Sequence, residues 1–475
     1  MDNRRPYTTD RRAHWDRVAA SLRTWRGWGG AYHRRLTRTY QYLVPPGLRV
    51  LEVGCGQGDL LAACHPAVGV GLDFSSGMIE RARDRHPGLH FAVADAQALP
   101  FRTTFDVIIL SDLLNDVWDV QDVLRAIRPV LTRRTRLILN FYSRLWETPL
   151  AAAESLGVAK PILHQNWLTI EDVGNLLHLE SYSVLRAWRE FLFPLQVPLL
   201  EPLFNRFLVR LWPFHYLGMS NFVLAAGDPT SFAPIEKASV SLIVPARNEA
   251  GNVAPLLDRL PHLGPETEII FVEGHSSDET YGVIEGEIAR RANPRTTLLR
   301  QEGTGKGDAV RRGFAVASGD ILVILDADLS VRPEDLPRFV AALQEGKAEF
   351  ANGVRLVYPM EGEAMRFLNL VGNRFFSLVF SWLLGQTIKD TLCGTKALWR
   401  VDYQRLAAGR AYFGDFDPFG DYDLLFGAAK LGLRIVDLPV RYQRRTYGKT
   451  NISRWRHGWL LMRMAALAAI RLKFT

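Results

Sequence analysis

Val50–Leu60 reads VLEVGCGQGDL, an apolar strand-like run that passes directly into glycines at alternate positions, Gly54, Gly56 and Gly58. A glycine series after a strand marks a strand-to-helix turn whose backbone amides can approach a ligand closely. Ile321–Ser330 (ILVILDADLS) repeats the layout about 270 residues later, with carboxylates where the first stretch has glycines. Open α/β folds place their ligands at the C-terminal edge of a parallel sheet. Two such edges predict a two-domain α/β enzyme with two different active sites.

Working outward from the first stretch, apolar runs alternate with helical patterns at Arg49–Val53, Val68–Leu72, His90–Ala94, Phe105–Leu110 and Arg136–Leu139. That alternation implies βαβ units around a parallel sheet. Residues 1–45 read as helical and peripheral, and Pro45-Pro46-Gly47 is the turn before the first strand. Residues 164–226, rich in Leu, Phe, Trp and Pro, complete the domain or cover its substrate side. Around Gly227–Ser231 the composition turns small and polar, then a second alternation runs through Ser239–Val244, Glu268–Val272, Thr296–Leu299, Ile321–Leu325 and Glu349–Gly353. The expected division is therefore a first domain over 1–226, a linker over 227–239 and a second domain over 240–475.

Composition bounds the function classes. The 475 residues are 48% hydrophobic and 23% charged, enough apolar material for two cores. The net charge of +8 is concentrated at the ends. Residues 1–38 hold ten Arg against three Asp, and residues 441–475 hold nine Lys/Arg and no acid. The basic C-terminal stretch, interleaved with Tyr, Trp, Leu and Met, suits an anionic membrane surface, a phosphorylated substrate or nucleic acid. Three cysteines, Cys55, Cys64 and Cys393, have neither zinc-ligand spacing nor a disulfide framework, which fits a reducing cytoplasm. The charged N-terminus lacks the apolar core of a secretory signal. Phe375–Gly385 and Trp459–Ile470 are apolar but too short to span a bilayer, and read as core helices or as helices lying in the membrane interface.

In the first domain, Asp73 ends the run VGVGLD, where a carboxylate can accept hydrogen bonds from both ribose hydroxyls, and Asp95 ends FAVAD, within reach of an adenine edge. LEVGCGQGDL, GLDFSSGMIERAR, VADAQALPF and FDVIILSDLLNDVWDVQDVLRAIRPVL together resemble the class I S-adenosylmethionine-dependent methyltransferases over about Leu48–Asn140. The resemblance implies that Glu52, Gly54, Gly56 and Gly58 border the methionine part of the cofactor and that Asp73 holds the ribose. Asp95 and Ala96 would border the adenine, while Ser111 and Asp112 face the sulfonium. A nicotinamide enzyme is the competitor, since Asp73 suits it too, but the loop is G-x-G-x-G rather than G-x-G-x-x-G. Methyl transfer can proceed largely by positioning, so no base announces itself. His164, Asn166 and Trp167 either line the acceptor side or form a polar loop.

In the second domain, Asp326 and Asp328 alternate at a strand end and point to one side, where two like charges call for a hard cation such as Mg²⁺ or Mn²⁺. SLIVPARNEAGNVAPLLDRL, IIFVEGHSSDET, EGTGKGDAVRRGFAVASGD, DTLCGTKALW and FGDYDLLFGAAKLGLRIVDLPVRYQRRTYGKTNIS accompany them in order. The set resembles family 2 glycosyltransferases of the GT-A fold, particularly the dolichyl- and polyprenyl-phosphate sugar synthases, over about Val240–Ser453. The resemblance implies that Pro245, Arg247, Glu249 and Glu273 border a nucleotide-sugar donor, that Lys306 and Gly307 lie near it, that Asp326 lies near the ribose or the metal, and that Asp328 holds the metal. Glu273-Gly274-His275-Ser276-Ser277-Asp278 stands where the family usually reads D-D-G-S-x-D, which leaves the base preference open. Ser330 takes a place often held by Gln or another polar ligand.

RRTYGKT resembles the family's R-x-x-G-x-S-K element, which implies that Arg444, Arg445 and Lys449, beside Gly448, bind phosphate from the donor or from a lipid acceptor. A lipid phosphate needs no general base; a hydroxyl would, and Asp421 or Asp423 is then the candidate, unless both are ordinary helix N-terminal acids. The expectation is a bifunctional enzyme using S-adenosylmethionine and Mg²⁺ or Mn²⁺, with sugar transfer, inverting as the resemblance implies, from a nucleotide-sugar to a lipid-phosphate or glycan acceptor at the cytoplasmic membrane face. An RNA methyltransferase with a basic accessory domain is the alternative, but no RNA-binding module is present. A degenerate scaffold domain is a further alternative, against which Gly54/Gly56/Gly58 with Asp73 and the pair Asp326/Asp328 speak.

Overall fold

The computed structural model describes residues 4–21, 29–155, 163, 165–194, 197–358, 367–413, 422–445, 447 and 454–475. Of the residues singled out above, His164, Asp421, Gly448 and Lys449 lie outside the described residues. The chain divides into two compact units, Met1–Ser231 and Phe232–Thr475.

The first unit is a seven-stranded sheet: β1 (Arg49–Val53), β2 (Val68–Asp73), β3 (His90–Val93), β4 (Val107–Ser111), β5 (Arg136–Tyr142), β6 (Tyr182–Glu190) and β7 (Ser220–Gly227). Their order is β3-β2-β1-β4-β5-β7-β6, parallel except for β7, which runs antiparallel to β5 and β6. Strands covered on both faces should be apolar almost throughout, and β4 and β5 are. Ile108, Ile109, Leu110, Leu137, Ile138 and Leu139 are buried, each contributing about 1.5–3 kcal/mol of transfer free energy.

The helix Gly29–Leu43 departs from its expected peripheral place. Tyr32, Leu36 and Tyr40 recur every four residues on one face and are buried with Val50, Ile109 and Ile138 in the core on one side of the sheet. The arginines between them lie on other faces, which is why a reading of composition placed the helix outside.

The second unit is also seven-stranded: β8 (Val240–Ala246), β9 (Thr267–Glu273), β10 (Thr296–Arg300), β11 (Ile321–Ile324), β12 (Phe350–Val354), β13 (Lys396–Trp399) and β14 (Ile435–Pro439). The order is β10-β9-β8-β11-β13-β12-β14, with β13 antiparallel to both neighbours. Parallel β8, β9 and β11 bring Glu249, Glu273 and Asp326–Asp328 to one edge. Both units are thus α/β with mixed, largely parallel sheets. Cys55, Cys64 and Cys393 are buried free thiols. Among the described residues no helix is long and apolar enough to cross a membrane.

Candidate active sites

At the end of β1, Gly54, Gly56 and Gly58 all take positive φ (77°, 51° and 75°), and the amides of Gly54 and Cys55 both donate to Leu72 O of β2. A Cβ on Gly58 would stand 2.5 Å from the Phe91 ring, and one on Gly54 2.9 Å from Leu113. Gly56 instead opens onto free space, and its amide donates to Asp73 Oδ2 at 2.9 Å. Asp73 Oδ1 accepts from Ser75 N at 2.9 Å. Burial lifts the Asp73 carboxyl to about 6 against the opposing pull of those two amides.

A cleft of ≈ 470 Å³ lies over this loop, lined by Gly54, Asp73, Asp95, Ala96 and Leu113, and by Tyr7, Thr8 and Arg11 of the helix Arg4–Ser21. That helix is pinned in place by three side chains. Arg11 ion-pairs with Asp116, Trp15 Nε1 donates to Asp116 Oδ2 at 2.7 Å, and Asp16 Oδ1 accepts from Ser75 Oγ at 2.5 Å and Gly77 N at 3.2 Å. Tyr7 and Arg11 were not legible as site residues, because a basic N-terminal stretch carries no mark of the cleft it covers.

Glu52 lies beneath the loop. Burial raises its carboxyl well above the usual range, and Oε2 has no hydrogen-bond partner among the described residues. Ser111 ends β4, and Asp112 follows with φ 53°. Asp112 Oδ1 accepts from Tyr32 OH at 2.7 Å and from Asn140 Nδ2 at 2.6 Å, while Asn140 Oδ1 accepts from Tyr40 OH at 2.8 Å. Burial pushes Asp112 up to about 7, the two donors only partly opposing it. Asn166 is structural, its amide nitrogen donating to Val117 O at 2.7 Å and Leu114 O at 3.2 Å.

The second edge is a network of alternating charge. Asp326 Oδ1 lies 2.6 Å from Lys306 Nζ, at the start of the helix Lys306–Val316. Gly394 covers this pair so closely that a Cβ would fall 2.1 Å from both Asp326 Oδ2 and Lys306 Nζ. Asp328 Oδ1 accepts from Ser330 N at 2.9 Å and Ser330 Oγ at 2.6 Å, and Oδ2 pairs with Arg445 Nη2 at 2.6 Å. Burial opposes the Asp328 charge, but Ser330 and Arg445 outweigh it and hold the carboxyl below its usual range. Arg445 Nη1 is also 3.3 Å from Glu249 Oε1, and Glu249 Oε2 accepts from Asn252 Nδ2 at 2.6 Å. Burial nevertheless raises Glu249 to about 7.

Around this network, Glu273 is buried and its Oε1 accepts from Ser276 N at 2.5 Å. Asp278 Oδ2 accepts from Tyr447 OH at 3.2 Å, and Tyr447 packs on Gly251. Pro245 is half-buried, and Arg247 and Arg444 are exposed. Asp423 pairs with Arg410 Nε at 3.1 Å and lies 4.0 Å from Arg311 Nη1, so two guanidiniums already answer its charge. Among the described residues no three His, Cys, Asp or Glu side chains gather as a metal cage.

Residues 50–134 match the family described as "Methyltransferase domain", and residues 241–404 match "Glycosyl transferase family 2". A polyprenol monophosphomannose synthase of Mycolicibacterium smegmatis is 29% identical over 236 residues, 48% of this chain and 86% of that protein. A dolichol-phosphate mannosyltransferase of Pyrococcus furiosus is 36% identical over 236 residues, 47% of this chain and 64% of that protein. Other relatives are spanned over only about a third of their length. The crystal structure of an S-adenosylmethionine-dependent methyltransferase from Mesorhizobium loti aligns with 42% of this chain and 99% of its own, at 22% identity and a TM-score of 0.33. With the two family matches added to the two strand-edge sites, the chain is an enzyme that joins a methyltransferase domain to a family 2 glycosyltransferase domain.

Proposed function

We infer that residues 240–475 transfer a sugar, with inversion, from a nucleoside-diphosphate donor to a polyprenyl phosphate. Residues 1–226 transfer a methyl group from S-adenosylmethionine, and residues 227–239 link the two. The observation that carries the reading is the meeting of Glu249, Asp326, Asp328, Lys306 and Arg445 at one sheet edge, where acids and cations interleave as a diphosphate and its counter-ion require.

The Asp326 and Asp328 oxygens are hard donors that fit Mg²⁺ or Mn²⁺, with the rest of the shell left to diphosphate and water. Such an ion supplies compensation for the negative charge that builds on the departing nucleoside diphosphate. Lys306 and Arg445 add fixed positive charge to the same region, Gly394 leaves room for it, and Pro245, Arg247, Glu249 and Glu273 border the nucleotide. Arg444 and Lys449 join Arg445 in holding phosphate. A lipid phosphate is already an anionic nucleophile, so no base is needed; Asp421 or Asp423 enters only if the acceptor is a hydroxyl. The acceptor would be met at the cytoplasmic membrane face, in the making of a glycolipid or polysaccharide precursor.

The first-domain cleft fits S-adenosylmethionine on the chemistry of its donors. Each Asp73 oxygen accepts one amide and keeps a second lone pair for a ribose hydroxyl, and Gly56 leaves the ligand side open. The bound cofactor supplies the methyl group; Gly54, Gly58, Asp95 and Ala96 shape its pocket, Glu52 underlies it, and Ser111 borders the reacting side.

A double dissociation tests the pair. Asp73→Asn should weaken S-adenosylmethionine binding by calorimetry at least tenfold and leave Mn²⁺-dependent donor turnover intact. Asp328→Asn should do the reverse. Loss of both activities in either variant, or of neither, would contradict the assignment.

A further inference from the structure

Between Glu190 at the end of β6 and Ser220 at the start of β7, the chain leaves the first sheet and turns hydrocarbon outward. Leu199 is 84% and Trp212 78% exposed, and Leu203, Phe207, Tyr216 and Leu217 are exposed around them. This is not a loop without internal order. Asn205 Oδ1 accepts from the amides of Leu192 and Phe193, both at 2.8 Å, and its Nδ2 donates to Phe193 O at 2.8 Å. Arg210 pairs with buried Glu190, which lies 3.3 Å from Arg35 Nη2. Asn205, Arg210 and Glu190 are thus spent inside, holding the lobe, while large apolar side chains face out, the reverse of an ordinary surface excursion. Leu199 also sits at φ 67°, a conformation a branched side chain rarely adopts.

The lobe's position ties it to the methyl site. Ser220 pairs with Tyr142, and β5 ends at the edge where Asp73 and Ser111 also close their strands, so the lobe rises from the cofactor edge of the sheet. Phe191 packs edge-on against Tyr32 at 5.2 Å, and Tyr32 donates to Asp112. Trp146 Nε1 donates to Leu217 O at 2.8 Å.

Its charge selects the occupant. Glu201 is the one acid in residues 191–219, and its Oε1 accepts from Asn205 Nδ2 at 3.4 Å. Arg189 lies over the Tyr216 ring at 5.3 Å and Arg206 over the Phe207 ring at 5.5 Å. Aliphatic side chains with Trp and Tyr, rimmed by arginine and lacking a free acid, match the headgroup boundary of an anionic bilayer. A second copy of the chain would instead set arginine rim against arginine rim.

The geometry points to residues 191–194 and 197–219 as a membrane-docking lobe that seats the methyltransferase domain on an anionic bilayer, so that its methyl acceptor is the head of a lipid-borne molecule entering beside Asp112. The acceptor class rests on the methyl-transfer reading; the docking does not.

The test uses the full chain, carrying an environment-sensitive fluorophore on Leu199→Cys, with vesicles of phosphatidylcholine containing phosphatidylglycerol and a bilayer quencher. Quenching of the probe is expected, and Leu199→Asp/Trp212→Asp should lower the vesicle-bound fraction at least fivefold while S-adenosylmethionine affinity stays unchanged. Vesicle-bound protein with an unquenched probe would overturn the proposal, as would a probe signal that follows protein concentration instead of lipid. Docking without any S-adenosylmethionine binding would remove the methyl-acceptor clause and leave the lobe assigned to the membrane.

Discussion

Arg445 Nη2 lies 2.6 Å from Asp328 Oδ2, although the two residues are 117 positions apart, and the same guanidinium reaches Glu249. A cation from the stretch after β14 therefore holds together the carboxylates that follow β8 and β11. In Arg445→Ala the buried Glu249 and the half-buried Asp328 lose the cation between them, and on the proposed reading the diphosphate loses one partner. Donor kcat/KM should fall about 10²-fold or more, with partial recovery in Arg445→Lys. An unchanged kcat/KM in Arg445→Ala would show that the contact is incidental.

The same contact has a pH signature. Glu249 titrates near 7 because burial raises it, and Arg445 is the largest influence pulling it down. Loss of Arg445 should move the acidic limb of donor turnover to higher pH. A limb that stays in place would separate Glu249 from the turnover.

Gly394 stands where any side chain would break the Asp326–Lys306 pair. Gly394→Ala should weaken nucleoside diphosphate binding at least tenfold by calorimetry while the thermal transition of the first unit stays put. Wild-type affinity in this variant would mean that the pair is not part of the donor site.

Strands β1 and β11 were legible in the sequence almost to the residue, because apolar runs ending in Gly-x-Gly or Asp-x-Asp carry their own punctuation. Strand β13 was not, since Lys396 and Cys393 read as a motif; in the fold Lys396 is fully buried and its Nζ donates to Cys393 O. The antiparallel pair β6 and β7 was equally hidden, in a Leu/Phe/Trp-rich stretch where periodicity did not separate strand from lobe. Asp73, Asp95, Asp326 and Asp328 could be proposed because each ends a strand. Tyr32 and Asn140 could not, because only the tertiary fold brings them to Asp112. Arg445 was read as a phosphate ligand because RRTYGKT resembles a family motif, and its pairing with Asp328 and Glu249 depends on a chain return that no local pattern encodes.

Asp112 gives the first unit a pH dependence. Folding lifts this carboxyl from 3.8 to about 7, so between those values the folded chain holds a proton that the unfolded chain has released. Its effect on stability is therefore harmless below about 4 and grows unfavourable as pH rises through 7. Asp112→Asn keeps an acceptor for Tyr32 and Asn140, and should flatten the loss of stability between pH 5 and 8 by an amount of order 2 kcal/mol. Denaturant midpoints across that range check it; parallel curves for the two proteins would contradict it.

Asp390, fully buried, is gripped by Arg355 through Nε at 2.7 Å and Nη2 at 2.9 Å, and accepts from Asn373 Nδ2 at 2.9 Å. The pair anchors the turn that carries Gly394. Arg355→Met leaves a buried charge without its partner and should cost about 3–5 kcal/mol, much of it recovered in Arg355→Met/Asp390→Leu. A single variant as stable as wild type by urea unfolding would refute the anchoring role.

The sugar-transfer site is tested by movement of labelled sugar from a panel of UDP- and GDP-sugars onto polyprenyl phosphate, with Mg²⁺ or Mn²⁺. Label should enter the organic phase from one donor with the intact protein, and should be lost on chelation and in Asp328→Asn. Label that transfers equally well with Asp328→Asn or without a divalent ion would contradict it.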